Sequence, residues 1–330
     1  QESYYAVLAM DGDDLGQWLG GAKTPFLKTS LAPQAYAYFA EHWKGELAGG
    51  VNADEVRRPL SPGFHAALSE ALSNFSLHCV GQIVEAFGGQ LLYSGGDDVL
   101  AMLPTKSAID CAQALQQVFR GLAPDERCSP TVQDKLKALF EFPADGFVRC
   151  RKGSGRGEHQ RPNWPIFVPG PHASASIGIS IGHVRSPMQD VIRAAQSAEA
   201  AAKNVPGKGA LCVRVAKRSG ESAEWAAPFA SLVLSVWHEL SARINDPSGR
   251  LPYRFLQLAK PLLASPTSAD GARWMAEWKS MCRAAKRRAN ASAQALPARI
   301  WKRTRLKIFI MIKMSVVMFH VRSKITLKTN

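Results

Sequence analysis

The stretch from Leu91 to Leu103 constrains this chain most, because it places two glycines and two aspartates between two short apolar runs. Glycine reaches positive φ without steric cost, so Gly95-Gly96 can close a tight turn between two strands. The pattern therefore predicts a β-hairpin with Asp97 and Asp98 at its tip. Adjacent carboxylates repel each other, so this tip is either a solvated turn or a site for a hard divalent cation.

A second acidic cluster, at the start of the chain, favours the metal site. The apolar run Tyr4–Met10 predicts a strand, and Asp11-Gly12-Asp13-Asp14 follows it directly. If this strand lies beside the hairpin, Asp11 and Asp97 face each other across one sheet and can hold Mg²⁺ between them. Such an arrangement is typical of nucleotidyl-transferase palms. Asp13 and Asp14 are expected to be helix N-terminal acids, favoured by the helix dipole.

The chain up to about residue 218 predicts an α+β palm of the ferredoxin-like kind, in the order strand, helix, hairpin, helix, strand, helix, strand. Apolar spacing predicts helices over 64–87, over 107–120 with Ser107 as the cap, and over 191–204, and buried strands over 173–182 and 210–215. Regions rich in Pro and Gly are interpreted as insertions at about 20–62, with a helix near Gln34–Leu47, and at 121–172, partly mobile.

Two further regions follow the predicted palm. Apolar spacing from Ser222 to about Asn290 is helical and predicts an all-helical domain over residues 219–296. Residues 297–330 form a basic tail whose composition departs from what precedes it, as a truncated or frameshifted gene would give. From Gly271 onward the chain holds fifteen Lys or Arg against one acid and so carries the whole net charge of +14. This stretch can track a phosphate backbone or form a solvated helix face.

The pattern of the cysteines indicates the cellular compartment in which the chain is expected to fold. The six cysteines are scattered without a Cys-x-x-Cys pair, which argues against a zinc knuckle and a disulfide framework. We therefore expect a reducing, cytoplasmic compartment. Neither a leader nor a membrane span is evident, and a first residue of Gln1 rather than Met suggests a fragment of a longer chain.

A family resemblance is carried by four segments: Tyr4–Leu15, Tyr93–Leu100, Ala173–His183 and Ala198–Arg218. Together they resemble the GGDD palm of the large subunit of type III CRISPR effector complexes, most closely the Cmr (type III-B) form, over about residues 4–265. That palm is similar to the palm of GGDEF diguanylate cyclases. The resemblance implies conversion of ATP to cyclic oligoadenylates in antiviral defence, within a complex of Cmr subunits, guide RNA and target RNA.

The resemblance also implies roles for individual residues. Mg²⁺ or Mn²⁺ would be ligated by Asp11 and Asp97, supported by Asp98 and the Gly12 carbonyl. ATP would be bound by Ser94, Gly95, Gly96, Lys203 and Lys208, the glycines through close backbone approach and the lysines through phosphate contacts. Lys208 is the weaker match, because its loop is longer than the corresponding loop of the cyclases.

Two other functions stay open. The family's HD nuclease domain, its other palm and its zinc module are not found in this sequence, and its cyclase pocket is shared between two palms. The chain is therefore expected to depend on partner domains or subunits, or to be a catalytically silent scaffold for RNA and neighbouring proteins. A cyclic dinucleotide synthase that uses GTP is the other alternative, although Asp98-Val99 departs from the Glu-Phe of diguanylate cyclases.

Overall fold

The computed structural model describes residues 4–42, 55–151, 162–216, 222–231 and 234. Two compact units are present, one formed by residues up to Asp13 together with those from Ser73 onward, the other by Asp14–Leu72. In chain order the elements are β1 (Tyr4–Gly12), α1 (Leu15–Leu19), α2 (Leu27–Ser30), α3 (Pro33–His42), α4 (Pro62–Asn74), a π-helical turn (Phe75–Val80), α5 (Gly81–Ala86), β2 (Gln90–Gly95), β3 (Asp98–Pro104), α6 (Ala108–Phe119), α7 (Pro130–Leu139), β4 (Phe140–Glu141), β5 (Phe147–Cys150), β6 (Ile166–Phe167), β7 (Ala175–His183), α8 (Met188–Lys203), β8 (Ala210–Ala216) and β9 (Ser222–Pro228).

The larger unit is built on a six-stranded sheet in the order β2-β3-β1-β7-β8-β9. Strand β1 is antiparallel to β3 on one side and to β7 on the other. The order β2-β3-β1-β7, with helices between β1 and β2 and between β3 and β7, has the connectivity of a ferredoxin-like motif. Strand β8 extends the sheet parallel to β7, and α8 connects the two strands. The predicted α+β class is confirmed.

Strand β9 shows that the predicted helical region is wrong at its start. Ser222–Pro228 pairs antiparallel with β8 instead of forming a helix. Trp225 and Ala227 are buried at a spacing of two residues and Glu224 is exposed, which is the period of a strand. The rest of the predicted helical domain, apart from 229–231 and 234, and the basic tail lie outside the described residues and stay predictions.

Helix α8 packs directly against the backbone of β7, whose nine residues are all buried. A Cβ added to Gly178 would lie 2.1 Å from the Glu199 backbone nitrogen, and one added to Gly182 would lie 2.6 Å from Val191 Cγ2. The helix buries Val191 and three alanines, Ala195, Ala198 and Ala202, at spacings of four, three and four residues. Small residues on both elements therefore fix the height of α8 above the sheet.

This close approach predicts that Gly178→Ala destabilises the fold strongly. The new methyl group would meet backbone atoms of α8, which cannot rotate away as a side chain can. We expect a loss of about 3 kcal/mol in the free energy of unfolding, the upper end for overpacking, measured by urea denaturation. Gly16→Ala is the matched control, since a Cβ there meets nothing within 4 Å. Equal stability of the two variants would contradict the packing argument.

The predicted helix over 64–87 is present, with one local departure from α geometry. Between α4 and α5 the chain makes a π-helical turn, and Ser76 in this turn hydrogen-bonds Ser94 of β2 at 2.9 Å between the two Oγ atoms. The expected glycine stop is confirmed by Gly88, with φ of 73°. The π turn was not foreseen, although the five-residue step from Phe75 to Val80 matches its i→i+5 period and breaks the three- and four-residue steps of the rest of the helix.

Helix α6 confirms the predicted helix after the hairpin but not its predicted cap. The Ser107 hydroxyl makes no capping hydrogen bond and donates instead to the carbonyls of Phe87 and Pro104, at 2.7 Å and 3.2 Å. The helix is buried well beyond the predicted stripe, which included Ile109 and Leu115. It is therefore a core helix rather than an amphipathic surface helix.

Two regions predicted as insertions contain regular structure. In the smaller unit, α3 covers the described part of the helix expected near Gln34–Leu47. Between 121 and 172, the described residues include α7 and a three-stranded sheet in the order β4-β5-β6. Helix α7 is capped by Ser129, whose hydroxyl accepts a hydrogen bond from the Val132 N–H. These strands are only two to four residues long, too short for a periodic signal.

Candidate metal and nucleotide site

Three carboxylates meet where β1 ends and β3 begins. The pairing of these antiparallel strands runs as far as Met10 and Val99, so Asp11 lies next to Asp98 at the same edge. One ligand oxygen from each of Asp11, Asp97 and Asp98 lies within 4.8 Å of the others. The structure thus brings together the three residues predicted as metal ligands.

The hairpin tip differs slightly from the prediction. Gly95 pairs with Asp98, so the two-residue turn is Gly96-Asp97 and not Gly95-Gly96. Gly96 has φ of 70°, as its turn position requires. Gly12 makes room for the turn, since a Cβ there would lie 2.7 Å from Asp97 Oδ2. A glycine at the end of β1 therefore lets the Asp97 carboxylate lie against that strand.

Crowding and burial both act on these carboxylates. Burial raises the pKa of Asp97, and the charges of Asp11 and Asp98 raise it further, although a backbone hydrogen bond opposes the change. Burial and the Asp11 charge likewise raise the pKa of Asp98, against the opposing effect of Lys203. Such carboxylates gain from a compact cation with oxygen preference. This donor set fits Mg²⁺ or Mn²⁺.

The raised pKa values give a pH dependence of defined sign. A carboxyl group with a higher pKa in the folded state contributes stability at low pH and loses it as the pH rises through that pKa. We therefore expect Asp97→Asn to raise the Tm at pH 7 in EDTA by about 1–3 °C, because it removes a repelled charge. The gain should vanish below about pH 4, where the wild-type carboxyl is also neutral. A variant that melts below wild type at pH 7 would contradict this account.

Lys203, predicted to contact phosphate, lies beside the carboxylates as the last residue of α8. Its ammonium donates to Asp11 Oδ2 and lies 3.3 Å from Glu199 Oε1, one helical turn earlier. Burial lowers the pKa of Lys203, but the hydrogen bond and charge of Asp11, helped by Glu199, outweigh burial and raise it above its usual value. The ammonium is therefore a fixed positive charge in the site.

Glu199 was missed by the sequence reasoning. Burial raises its pKa, while Lys203 lowers it. The i,i+4 spacing to Lys203 was a usable signal, because such pairs share a helix face. The sequence of this alanine-rich helix could therefore have predicted that Glu199 lies beside Lys203 at the C-terminal end.

Asp13 is not a helix N-terminal acid, so that prediction is wrong. Its side chain is only 5% exposed and accepts hydrogen bonds from Ser174 Oγ at 2.7 Å, Ser176 Oγ at 2.7 Å and the Gly209 N–H at 2.8 Å. These bonds tie the end of β1 to the start of β7 and to the loop before β8. Asp14 does begin α1, but its carboxylate pairs with Lys23 at 2.5 Å rather than capping the helix.

The loop held by Asp13 carries Lys208. Gly207, Lys208 and Gly209 all have positive φ, at 85°, 52° and 54°. The Lys208 N–H donates to the Val205 carbonyl at 2.9 Å. A non-glycine residue in this region is strained unless its surroundings hold it, and the Asp13–Gly209 bond is such a restraint. The contact of Lys208 with phosphate stays a prediction.

Ser94 and Gly95, the residues of β2 that were predicted to bind ATP, have different neighbours. Ser94 Oγ bonds Ser76 in the π turn, so its hydroxyl is engaged with the helical layer. Gly95 is covered by a neighbour, since a Cβ there would lie 2.2 Å from the Tyr93 hydroxyl oxygen. Tyr93 itself is 56% exposed. A side chain at 95 would therefore displace the exposed Tyr93 ring from its present position.

Comparison with known proteins shows which proteins share this fold. Residues 4–134 match the family described as Cas10/Cmr2, second palm domain. This segment is similar to the Cas10/Cmr2 palm. The chain is similar to the CRISPR system Cmr subunit Cmr2 of Pyrococcus furiosus, with 31% identity over 218 residues, and to Cmr2 of Saccharolobus solfataricus, with 33% identity over 69 residues. The resemblance to the type III-B large subunit is confirmed.

The chain corresponds to only a small part of each of these relatives. The two alignments cover 66% and 21% of this chain but only 19% and 6% of the relatives, so the chain spans less than a fifth of either protein. Two solved structures, a type III-B Cmr-beta complex in the apo state and one bound to cognate target RNA, share the fold. Their TM-scores are 0.56 and 0.55, at 19% and 16% identity, over 84% of this chain and 34% of theirs.

Two further observations concern the helices and the cysteines of the described residues. Among the described residues, every helix is too short or too polar to cross a membrane. The five cysteines of the described part, Cys79, Cys111, Cys128, Cys150 and Cys212, are buried free thiols. Burial raises the pKa of Cys128 to about 11 and of Cys212 to about 12. These thiols are packing residues of low reactivity.

Proposed function

We propose that this palm is a magnesium- or manganese-dependent nucleotidyltransferase that forms cyclic oligoadenylate from ATP. The observation that carries the proposal is the meeting of Asp11, Asp97 and Asp98 within 4.8 Å, where β1 ends and the β2–β3 hairpin turns. Burial and mutual repulsion make this cluster unfavourable unless a cation compensates it. One ammonium, that of Lys203, is not enough to balance three carboxylates.

Each residue of the site then has a task that its position supports. Asp11 and Asp97 would ligate the metal, with Asp98 and the Gly12 carbonyl at the same edge. When bound, the metal would lower the pKa of a ribose hydroxyl and would neutralise negative charge on the α-phosphate. Lys203 would hold phosphate oxygens with its fixed charge, and Lys208 would do so from the loop.

The glycine turn supplies backbone rather than side-chain contacts. Gly95 and Gly96 have no Cβ, so their N–H groups can come close to a phosphate of ATP. Ser94 would act here mainly by fixing β2 against the π turn, since its hydroxyl already bonds Ser76. The reaction requires no covalent enzyme intermediate.

We further propose that the palm works inside a type III-B effector complex in the cytoplasm. Its relatives are named as Cmr subunits, and one similar structure is described as bound to cognate target RNA. Other Cmr subunits, guide RNA and target RNA are therefore the expected partners. Because the chain spans less than a fifth of these relatives, a second palm from partner chains or domains is expected to complete the pocket.

The test is turnover of radiolabelled ATP with Mg²⁺, by the chain alone and in a reconstituted complex with guide and target RNA. We expect cyclic adenylates from the assembled complex, and none when it carries Asp97→Asn/Asp98→Asn. Turnover of GTP in place of ATP would show a cyclic dinucleotide synthase instead. No product from an assembled, RNA-bound complex would leave the silent scaffold as the function.

A further inference from the structure

The Lys203 ammonium lies between two carboxylates that belong to different elements. It donates to Asp11, at the end of β1, and lies 3.3 Å from Glu199 Oε1, on its own helix. All three side chains are partly buried, at 28% exposure for Lys203, 35% for Asp11 and 16% for Glu199. Of the two carboxylates, only Asp11 belongs to the cluster of potential metal ligands.

Glu199 is held in place by the packing of α8. Its backbone nitrogen lies so close to β7 that a Cβ on Gly178 would come within 2.1 Å of it. Its Oε1 is buried and receives no aligned hydrogen bond from the described residues, although the ammonium is at ion-pair distance. Glu199 is therefore already an ion-pair partner of Lys203, through a buried oxygen that can accept a better aligned hydrogen bond.

We propose that Asp11 and Glu199 are alternative partners of the Lys203 ammonium, and that a divalent cation at Asp11 transfers this ammonium to Glu199. The inference rests on the proposed function and assigns Glu199 as a positioning residue. A divalent cation and an ammonium compete for the same Asp11 oxygens, since both need their lone pairs. Glu199 then keeps the displaced ammonium at the site, where phosphate can meet it.

Two variants are expected to move divalent cation affinity in opposite directions. Lys203→Met removes the competitor for Asp11, so Mn²⁺ binding should tighten by about tenfold, the scale of a partly buried ion pair. Glu199→Gln removes the alternative partner and leaves the ammonium on Asp11. Mn²⁺ binding should then weaken by about five- to tenfold, and KM for ATP should rise more than kcat falls.

The experiment is a titration of the full chain with Mn²⁺, followed by electron paramagnetic resonance of the free ion. Four proteins form the cycle: wild type, Glu199→Gln, Lys203→Met and the double variant. If Glu199 acts through Lys203, Glu199→Gln has no effect in the Lys203→Met background. Equal weakening in both backgrounds would show that the Glu199 charge attracts the cation directly, without Lys203, and would overturn the proposal.

Two more variants separate position from charge. Glu199→Asp keeps the charge but shortens the side chain, so it should weaken Mn²⁺ binding nearly as much as Glu199→Gln; wild-type affinity would contradict the proposal. Asp190→Asn is the matched control, because it removes one acid from the same helix, nine residues before Glu199 and thus about 14 Å away at 1.5 Å per residue. It should leave Mn²⁺ affinity unchanged.

The same Mn²⁺ titration distinguishes failure of the proposed ammonium transfer from failure of the proposed function. Mn²⁺ binding by wild type that Asp11→Asn abolishes, together with additive effects of Glu199 and Lys203, would overturn the transfer and leave the proposed function standing. Wild type that binds no Mn²⁺ would overturn both. Circular dichroism of each variant confirms that it is folded.

Discussion

The Asp11→Asn variant is expected to lose nucleotidyl transfer by about a thousand-fold in kcat, since a metal contributes several kcal/mol to such reactions. Asparagine keeps the shape of the side chain and still bonds its neighbours. It removes the charge that β1 contributes to the carboxylate cluster, which is also one of the two charges that pair with Lys203. The loss should therefore be one of metal binding rather than of folding.

The measurement is the steady-state rate of product formation in a complex reconstituted with guide and target RNA, over a range of Mg²⁺ concentrations. Asp190→Asn serves as control, because its side chain is 64% exposed and far from the site on α8. Activity of Asp11→Asn within tenfold of wild type at all Mg²⁺ concentrations would show that β1 supplies no metal ligand.

Replacing Asp13 by alanine is expected to cost about 3–5 kcal/mol in the free energy of unfolding, the largest stability effect in the palm. The change leaves the Ser174 and Ser176 hydroxyls and the Gly209 N–H without their charged acceptor. Hydrogen bonds to a charged group are worth about 1.5–3 kcal/mol each, and orphaned buried donors add to the loss.

The Asp13 effect should also be local. Hydrogen exchange at residues 205–209 should accelerate in Asp13→Ala, because the loop loses its link to β1. Asp13→Asn should fall between wild type and alanine, since an amide oxygen can still accept from Gly209. Asp14→Asn, at the adjacent aspartate paired with Lys23, should change stability by less than about 1 kcal/mol. Equal effects at 13 and 14 would contradict the assigned role.

The carboxylate site could be predicted because each of its parts is local in sequence. Asp11 follows one apolar run, and Asp97 and Asp98 lie between two others. The one further inference needed was that the first strand lies beside the hairpin. The turn position could not be read, because Gly95-Gly96 and Gly96-Asp97 both satisfy the rule for a two-residue hairpin. The strand pairing decided between them.

The supporting contacts could not be predicted because their partners are distant in the chain. Asp13 and Ser174 are separated by 161 residues, and Lys203 and Asp11 by 192. A run of four acidic and glycine residues gives no sign of which acid will be buried. Only the strand order, with β1 between β3 and β7, brings Asp13 to the serines while Asp11 meets the hairpin.

The edge of the palm was misassigned for a different reason. The segment Ser222–Pro228 contains three alanines and a glutamate, which favour helix by propensity. Pairing with β8 outweighed this preference, because burial of Trp225 and Ala227 against the sheet is worth more than a few tenths of a kcal/mol per residue. Tertiary contacts decided the conformation.

The most direct test of the central claim is anomalous scattering from crystals of this chain soaked with Mn²⁺. The account predicts a manganese peak about 2.0–2.3 Å from carboxylate oxygens of Asp11 and of Asp97 or Asp98. Manganese bound at other positions in the same crystals, with no peak at these three carboxylates, would contradict it.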